Sequence, residues 1–127
     1  MQSYLWIAVG SALGGMARQW FSVLALRLWP TEFPWGTVTI NVVGSMVIGA
    51  FATLTATEGR FPLPLTARQF VMVGICGGFT TFSSFSLQTL MLARDGRLLE
   101  AGLNIVLSVV LCLAAVVLGH WLATVLN

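Results

Sequence analysis

Four long apolar stretches, separated by short polar breaks, decide what this chain can fold into. A helix of about 20 apolar residues is long enough to cross the ~30 Å hydrocarbon core of a bilayer. The stretches that reach this length are residues 5–28, 38–57, 70–93 and 101–125. Their apolar runs are continuous rather than alternating, which argues against a membrane β-barrel. The sequence therefore predicts an all-α membrane protein with four transmembrane helices.

Composition excludes a soluble domain and most enzymes. Charged residues make up 8% of the 127 residues, whereas soluble globular domains carry about 25%. Apolar residues are spread along the whole length, so we expect one membrane domain, residues 1–127. The acidic residues lie at the ends of the stretches or between them, and the chain has one histidine. It therefore lacks the ligand set of a zinc site and the paired reactive groups of an enzyme active site.

The basic residues do not assign an orientation to the chain. Four crossings would place both termini and the loop around Arg60 on one face, and the loops around Glu32 and Arg97 on the other. The positive-inside rule depends on an excess of Lys and Arg on one side. Here the first face has two arginines and the second has three, namely Arg60 and Arg68 against Arg27, Arg94 and Arg97. One interpretation is insertion in both orientations and assembly as an antiparallel homodimer; the other is that so few charges decide nothing.

A polar segment with the sequence GGFTTFSSFS interrupts the third apolar stretch at residues 77–86. Glycine exposes the backbone, and hydroxyl groups need hydrogen-bond partners that hydrocarbon does not supply. Broken backbone at membrane depth is tolerated only where protein or a water-filled cavity surrounds it, and such breaks are typical of ion or substrate sites. The segment predicts a third helix broken at its centre, in a transport protein.

Aromatic and hydroxyl side chains alternate just after the expected break. Phe82 and Phe85 are three residues apart, so on a helix they lie on nearly the same face. The edge of an aromatic ring is positive, and ring edges beside the hydroxyls of Thr81 and Ser84 would suit a small, strongly hydrated anion. The alternative is that both phenylalanines face lipid, as phenylalanines in membrane helices usually do.

Arg18 is the only formal charge well inside a predicted span, and such a residue is a functional candidate by default. No acidic residue lies within the four stretches, so its partners must be backbone carbonyls, water or an anion. It is either a snorkelling anchor or a fixed positive charge in a wet vestibule that favours anions. Asn41 and Asn104 are likewise either contacts between helices or donors to a permeating ion. If residues 77–80 are unwound, their carbonyls could coordinate a cation.

Small residues recur four apart in the predicted helices, as in Gly10 with Gly14 and Ser11 with Gly15. This spacing is fit for close packing between membrane helices, and packing is the role we expect for these glycines. Four helices enclose little beyond their own contacts, so a pore favours a second subunit. Cys76 and Cys112 both lie inside predicted helices and are expected to be reduced packing residues.

Three motifs give the chain a resemblance to a known family. They are residues 14–18 (GGMAR), residues 36–44 (GTVTINVVG) and residues 74–85 (GICGGFTTFSSF). Along essentially its whole length the chain resembles the small dual-topology fluoride channels, the Fluc or CrcB family, and in particular a bacterial member. The third motif is long and unusual, so it carries most of the resemblance; the first alone would be weak.

The resemblance implies a passive, fluoride-selective channel of the bacterial inner membrane that exports cytoplasmic fluoride and confers fluoride resistance. Its partners would be fluoride, the lipid bilayer and a second copy in an antiparallel homodimer with two pathways, and no nucleic acid. The pathway residues that it implies are Phe82, Phe85, Asn41 and Ser108, with Thr81 and Ser84 beside them and Arg18 as the vestibule charge. It also implies a structural sodium ion at the dimer centre, held by the backbone carbonyls of Gly77 and Thr80.

Two positions depart from the family pattern, since Gln88 stands where many members have glutamate and Asn104 where many have tyrosine. The first change makes the pore mouth less negative, and the second leaves a hydrogen bond to the pathway open. Two rival functions remain. A small multidrug exporter would need an intramembrane carboxylate, which the stretches lack; a non-transporting accessory protein would use the polar break for packing only.

Overall fold

The computed structural model describes residues 2–127, so Met1 of the expected domain lies outside the described residues. Helices account for most of this range, and residues 2–127 contain no strand. Two helices come first, α1 (Gln2–Leu28) and α2 (Trp35–Leu54). A composite third span follows, made of α3 (Leu65–Gln69), a π-helical segment (Phe70–Cys76), α4 (Gly77–Phe79) and α5 (Phe82–Arg94), and the last helix is α6 (Leu98–Leu126).

Three helices in the described range are long and apolar enough to cross a membrane: α2, the third span Leu65–Arg94, and α6. The expectation of membrane-spanning helices is confirmed for these three. The first helix has 27 residues but is less apolar, because it carries Arg18, Gln19 and Arg27 together with several small residues. Its length alone would suffice for a crossing.

All four helices begin before the stretches that predicted them, α1 at Gln2, α2 at Trp35, the third span at Leu65 and α6 at Leu98, and α2 also ends early. The second helix ends at Leu54 rather than at residue 57, because the chain turns back there and the N–H of Phe61 donates to the carbonyl of Leu54 at 2.9 Å. The third span begins at Leu65 rather than at residue 70, directly after the extended Pro64 (φ −62°, ψ 153°). A polar first turn, Thr66 to Arg68, is therefore helical although it is not apolar.

Polar contacts join the loops at each end of the helix bundle. At one end, Nη1 of Arg60 donates to the carbonyl of Leu126 at 2.7 Å, close to the C-terminus. At the other end, Arg97 forms ion pairs with Glu32 and with Glu100. The hydrogen bond to Glu100 raises the pKa of Arg97 above its usual value. The loop around Arg60 thus lies by the C-terminus, and the loops around Glu32 and Arg97 lie together, as the alternating path of the chain predicts.

Glycines allow α1 to pack directly on the backbone of the third span. A Cβ atom on Gly10 would lie 2.5 Å from the carbonyl oxygen of Phe70, and one on Gly78 would lie 2.6 Å from that of Ser11. A Cβ atom on Gly14 would overlap the carbonyl oxygen of Ile75. The predicted packing role of the Gly10 and Gly14 stripe is therefore confirmed.

A second close contact joins α2 to α6. A Cβ atom on Gly49 would overlap the carbonyl of Val116, and one on Gly119 would overlap the carbonyl of Met46. Near the Arg60 end, Oγ1 of Thr53 and Nδ1 of His120 are hydrogen-bonded at 2.7 Å. The bundle thus consists of two tightly packed helix pairs, and the α2 pair approaches the third span near the middle of the bundle.

We expect Gly14→Ala to destabilise the protein by about 1–3 kcal/mol, because the added methyl group forces two backbones apart. Gly15→Ala is the matched control, since a Cβ atom there meets nothing within 4 Å. The measurement is the temperature at which the purified protein in detergent loses its monodisperse size-exclusion peak. Equal midpoints for the two variants would contradict the packing described for Gly14.

Candidate functional site

The third span is broken at two consecutive residues near the middle of the bundle. Thr80 (φ −79°, ψ 159°) and Thr81 (φ −152°, ψ 112°) are extended, and the helix resumes at Phe82. The predicted break is confirmed, but residues 77–79 are helical, so of the residues 77–80 considered for unwinding only Thr80 is unwound. Before it, the N–H of Gly77 bonds to the carbonyl of Met72, five residues back, at the end of a π-helical segment. Sequence reasoning did not predict this wider turn, although π-helical turns often occur at functional sites.

Asn41 of α2 pairs with the main chain at the break. Its Oδ1 accepts a hydrogen bond from the N–H of Thr81 at 2.7 Å, and its Nδ2 donates to the carbonyl of Thr81 at 3.0 Å. Gly44, one turn further along α2, allows this approach, because a Cβ atom there would overlap Cγ2 of Thr80. The motif of residues 36–44 therefore contains both the amide and the glycine that bring α2 to the break.

Arg18 of α1 reaches the same break from the other side. Its Nη1 lies 3.4 Å from the carbonyl oxygen of Thr80. One of the three kinds of partner expected for this charge, a backbone carbonyl, is thus present. The guanidinium lies beside the middle of the third span, so it does not extend towards the Leu28 end of α1 as a snorkelling anchor would.

Thr81 caps the helix that follows the break. Its Oγ1 accepts a hydrogen bond from the N–H of Ser84 at 3.1 Å and donates to Oγ of Ser84 at 3.0 Å. A threonine at this position satisfies one of the free N–H groups at a helix start. The two predicted hydroxyl residues therefore interact with each other at the start of α5.

The two phenylalanines of α5 are adjacent, as their spacing predicts. The centroids of their rings are 5.1 Å apart, with an angle of 54° between the ring planes. Phe85 is 8% exposed, whereas Phe82 is 75% exposed in the single chain. One ring is thus part of the core and the other projects from it.

A cavity of about 420 Å³ lies between α2, the third span and α6, next to the break. Seven of the nine predicted site residues line it: Asn41, Gly77, Thr80, Thr81, Phe82, Phe85 and Ser108. The other two, Arg18 and Ser84, are not among the lining residues but bond to residues that are. None of the described residues that line the cavity is charged. The fold therefore brings most of the predicted site into one polar but uncharged space.

Sequence reasoning missed part of the cavity wall. The additional lining residues are mainly small or apolar: Gly44, Ser45, Ile48, Met72, Cys76, Val109, Cys112 and Leu113. Their signal was helical spacing, since Ser45 lies four residues after Asn41 and Cys76 four residues before Thr80. Both cysteines are free thiols, as expected.

Asn104 bonds to the neighbouring helix α5 and within its own helix α6, and it does not line the cavity. It is 1% exposed, its Nδ2 donates to Oγ1 of Thr89 at 2.8 Å, and its Oδ1 accepts from Oγ of Ser108 at 3.4 Å. Of its two expected roles, the contact between helices is the one that these bonds support. The other departure from the family pattern, Gln88, lines a separate cavity of about 240 Å³ between α1, α5 and the start of α2, with Ser22 and Thr37.

We expect Thr81→Val to weaken the start of α5 by about 1 kcal/mol, because the cap of the Ser84 N–H is lost. Hydrogen exchange at the Ser84 amide should become faster in this variant. Thr81→Ser keeps the oxygen and should leave the exchange rate close to that of the native chain. Equal protection of Ser84 in the two variants would contradict the capping role.

Comparisons with known proteins identify the family of this chain. The family described as CrcB-like protein, Camphor Resistance (CrcB), matches residues 5–120. A protein of Methylocella silvestris named fluoride-specific ion channel FluC is 60% identical over 124 residues, which cover 98% of this chain and 95% of that protein. Another of the same name, from Paramagnetospirillum magneticum, is 58% identical over 127 residues, covering 100% and 99%. With its apolar membrane-spanning helices, this chain is a membrane protein that belongs to the CrcB-like family.

Proposed function

We propose that this protein is a fluoride-selective passive ion channel. One observation carries the proposal: amide, hydroxyl and aromatic side chains line a single uncharged cavity at a helix break, beside Arg18. The names of the relatives support fluoride as the transported ion. Because the family is one of ion channels, the chain is not an enzyme.

The cavity offers an anion several weak contacts and no strong charge. The edges of the Phe82 and Phe85 rings carry partial positive charge. The hydroxyl of Ser108 is bonded to Asn104 at the long distance of 3.4 Å, so its hydrogen is available for a closer acceptor. Arg18 adds positive potential from behind the break without lining the cavity. Binding that is favourable but weak is what conduction requires.

The proposed channel has four crossings per chain and is an antiparallel homodimer. Packing of α1 along the third span, through Gly10 and Gly14, supports a fourth crossing by α1. Phe82 projects 75% exposed beside the cavity, and a second copy would cover it and close the pathway. The nearly even distribution of arginines between the two ends supports insertion in both orientations. Each dimer would then contain two fluoride pathways.

A sodium ion at the dimer centre fits the donors at the break. Gly77 and Thr80 line the cavity, and the last carbonyls of a helix lack helical partners. Carbonyl oxygens suit a small hard cation. The contact from Arg18 to the Thr80 oxygen is long, at 3.4 Å, and uses only one of the two lone pairs of that oxygen. When bound, the ion would supply positive charge that joins the two copies.

The biological role that follows is resistance to fluoride in the bacterial inner membrane. Hydrogen fluoride is a weak acid that enters cells in its neutral form and dissociates in the cytoplasm. The trapped anion would leave passively through this multi-pass protein, driven by the negative interior potential.

The experiment that tests the function is efflux from liposomes that hold purified protein and equal fluoride and chloride, read with an electrode for each ion. We expect fast fluoride release with chloride retained. Phe82→Ile should reduce the fluoride rate by roughly tenfold or more, because the ring contacts are lost. Phe51→Ile is the matched control, since Phe51 lies in α2 and is not among the residues that line the cavity. Release of both ions, or of neither by folded protein, would overturn the proposal.

Antiparallel assembly predicts that each loop is exposed on both sides of the membrane. The test introduces a single cysteine, Thr31→Cys or Thr57→Cys, into a chain that carries Cys76→Ala and Cys112→Ala. These substitutions leave the loop charges that set orientation unchanged. An impermeant maleimide added outside should label about half of each variant, because either face of the chain would point outward in half of the copies. Permeabilised membranes, where all copies react, provide the reference. Complete labelling of one loop and none of the other would contradict dual topology.

A further inference from the structure

The amide of Asn41 is held at both of its ends by the main chain of one residue. Its Oδ1 accepts from the N–H of Thr81 at 2.7 Å, and its Nδ2 donates to the carbonyl of Thr81 at 3.0 Å. Because a main-chain N–H only donates and a carbonyl only accepts, these two bonds determine which end of the amide is oxygen. The plane and the orientation of the amide are therefore both fixed, and we call this pair of hydrogen bonds between Asn41 and Thr81 the clamp.

The groups that Asn41 binds are the ones that the break removes from the helix. Thr81 is extended, and its side chain and main chain together are 7% exposed. Its N–H and carbonyl thus lie in the protein interior, where polar groups need partners. The amide of Asn41 accepts one hydrogen bond from Thr81 and donates one to it. These two bonds replace the two that the main chain of Thr81 would have made in a helix.

The position of Thr81 controls the position of both phenylalanines. Thr81 caps α5 through the N–H of Ser84, and Phe82 is the next residue in the chain. Phe85 lies one turn further, with its ring 5.1 Å from that of Phe82. A shift of the Thr81 backbone would therefore move the start of α5 and both rings with it.

We infer that Asn41 is a positioning residue, which holds the break so that Phe82 and Phe85 keep the placement on which selectivity between anions depends. It acts through Thr81. The inference deepens the proposed fluoride channel and rests on it. The amide has a second N–H that takes no part in the two bonds to Thr81. An experiment must therefore separate the effect of Asn41 through Thr81 from direct donation to the ion.

Replacing the amide of residue 81 by an ester removes its N–H and changes no side chain. If Asn41 acts through Thr81, both Asn41→Ala and the ester should lower the fluoride-to-chloride permeability ratio, read from reversal potentials, on the order of tenfold. The ester also makes the Thr80 carbonyl a weaker acceptor, so the decisive result is a smaller loss from the ester in Asn41→Ala than in the native chain. Asn41→Asp should also lower the ratio, because its carboxylate would face the carbonyl of Thr81. Thr53→Val, which removes the bond from α2 to His120 away from the break, is the control that keeps the native ratio.

Three outcomes would overturn the inference. An ester that leaves the ratio unchanged, or effects of the ester and Asn41→Ala that multiply, would indicate that Asn41 acts independently of Thr81. Hydrogen exchange at the Thr81 amide gives a readout that needs no conduction: it should become faster in Asn41→Ala, and an unchanged rate would refute the clamp. If the native protein carries no fluoride, the proposed function fails while the exchange result still decides whether the clamp exists.

Discussion

The arrangement of the site depends on one constraint: main-chain groups released by a helix break in a membrane protein must find partners within the protein. Each partner comes from a different element. Asn41 of α2 bonds to both groups of Thr81, and Arg18 of α1 approaches the carbonyl of Thr80. The hydroxyl of Thr81 caps the helix that follows. The break is therefore the junction at which three parts of the chain are joined.

Close helix packing makes these contacts possible, because the side chains that reach the break have limited length. Gly14 brings α1 against Ile75, and Gly44 brings α2 against Thr80. A larger residue at either position would push the helix away and draw Arg18 or Asn41 out of reach. In the first two motifs, the small residues thus bring the helices close together. At that distance the polar residues reach the main chain at the break.

Charge is kept at the ends of the bundle and beside the site rather than in the cavity. Arg97 pairs with Glu32 and Glu100 at one end, and Arg18 lies behind the break. In the proposed channel a permeating anion would therefore meet ring edges and hydrogen-bond donors rather than a cation that would retain it. Selectivity would then depend on the placement of these groups, which is why the clamp at Thr81 matters.

Much of the site could be predicted from the sequence, because its signals are local. The break at Thr80 and Thr81 was evident from the glycines and hydroxyl residues of segment 77–86 in apolar surroundings, and the adjacency of Phe82 and Phe85 followed from helical spacing. The boundaries were less accurate, since all four helices begin before the predicted stretches and α2 ends before residue 57; turns and polar helical turns do not depend on apolarity. The π-helical segment was missed because it leaves no clear pattern in the sequence.

The sequence by itself determined that the chain is helical, enters a membrane and carries a break with anion-suited side chains, because composition and spacing along one chain suffice for these conclusions. The tertiary structure decided which of two roles each buried amide has. Asn104 bonds to Thr89 across the contact between α6 and α5, whereas Asn41 holds the break. Both are lone amides in apolar stretches, and their partners are 15 and 40 residues away. Only the packing of the helices brings such partners within hydrogen-bonding distance.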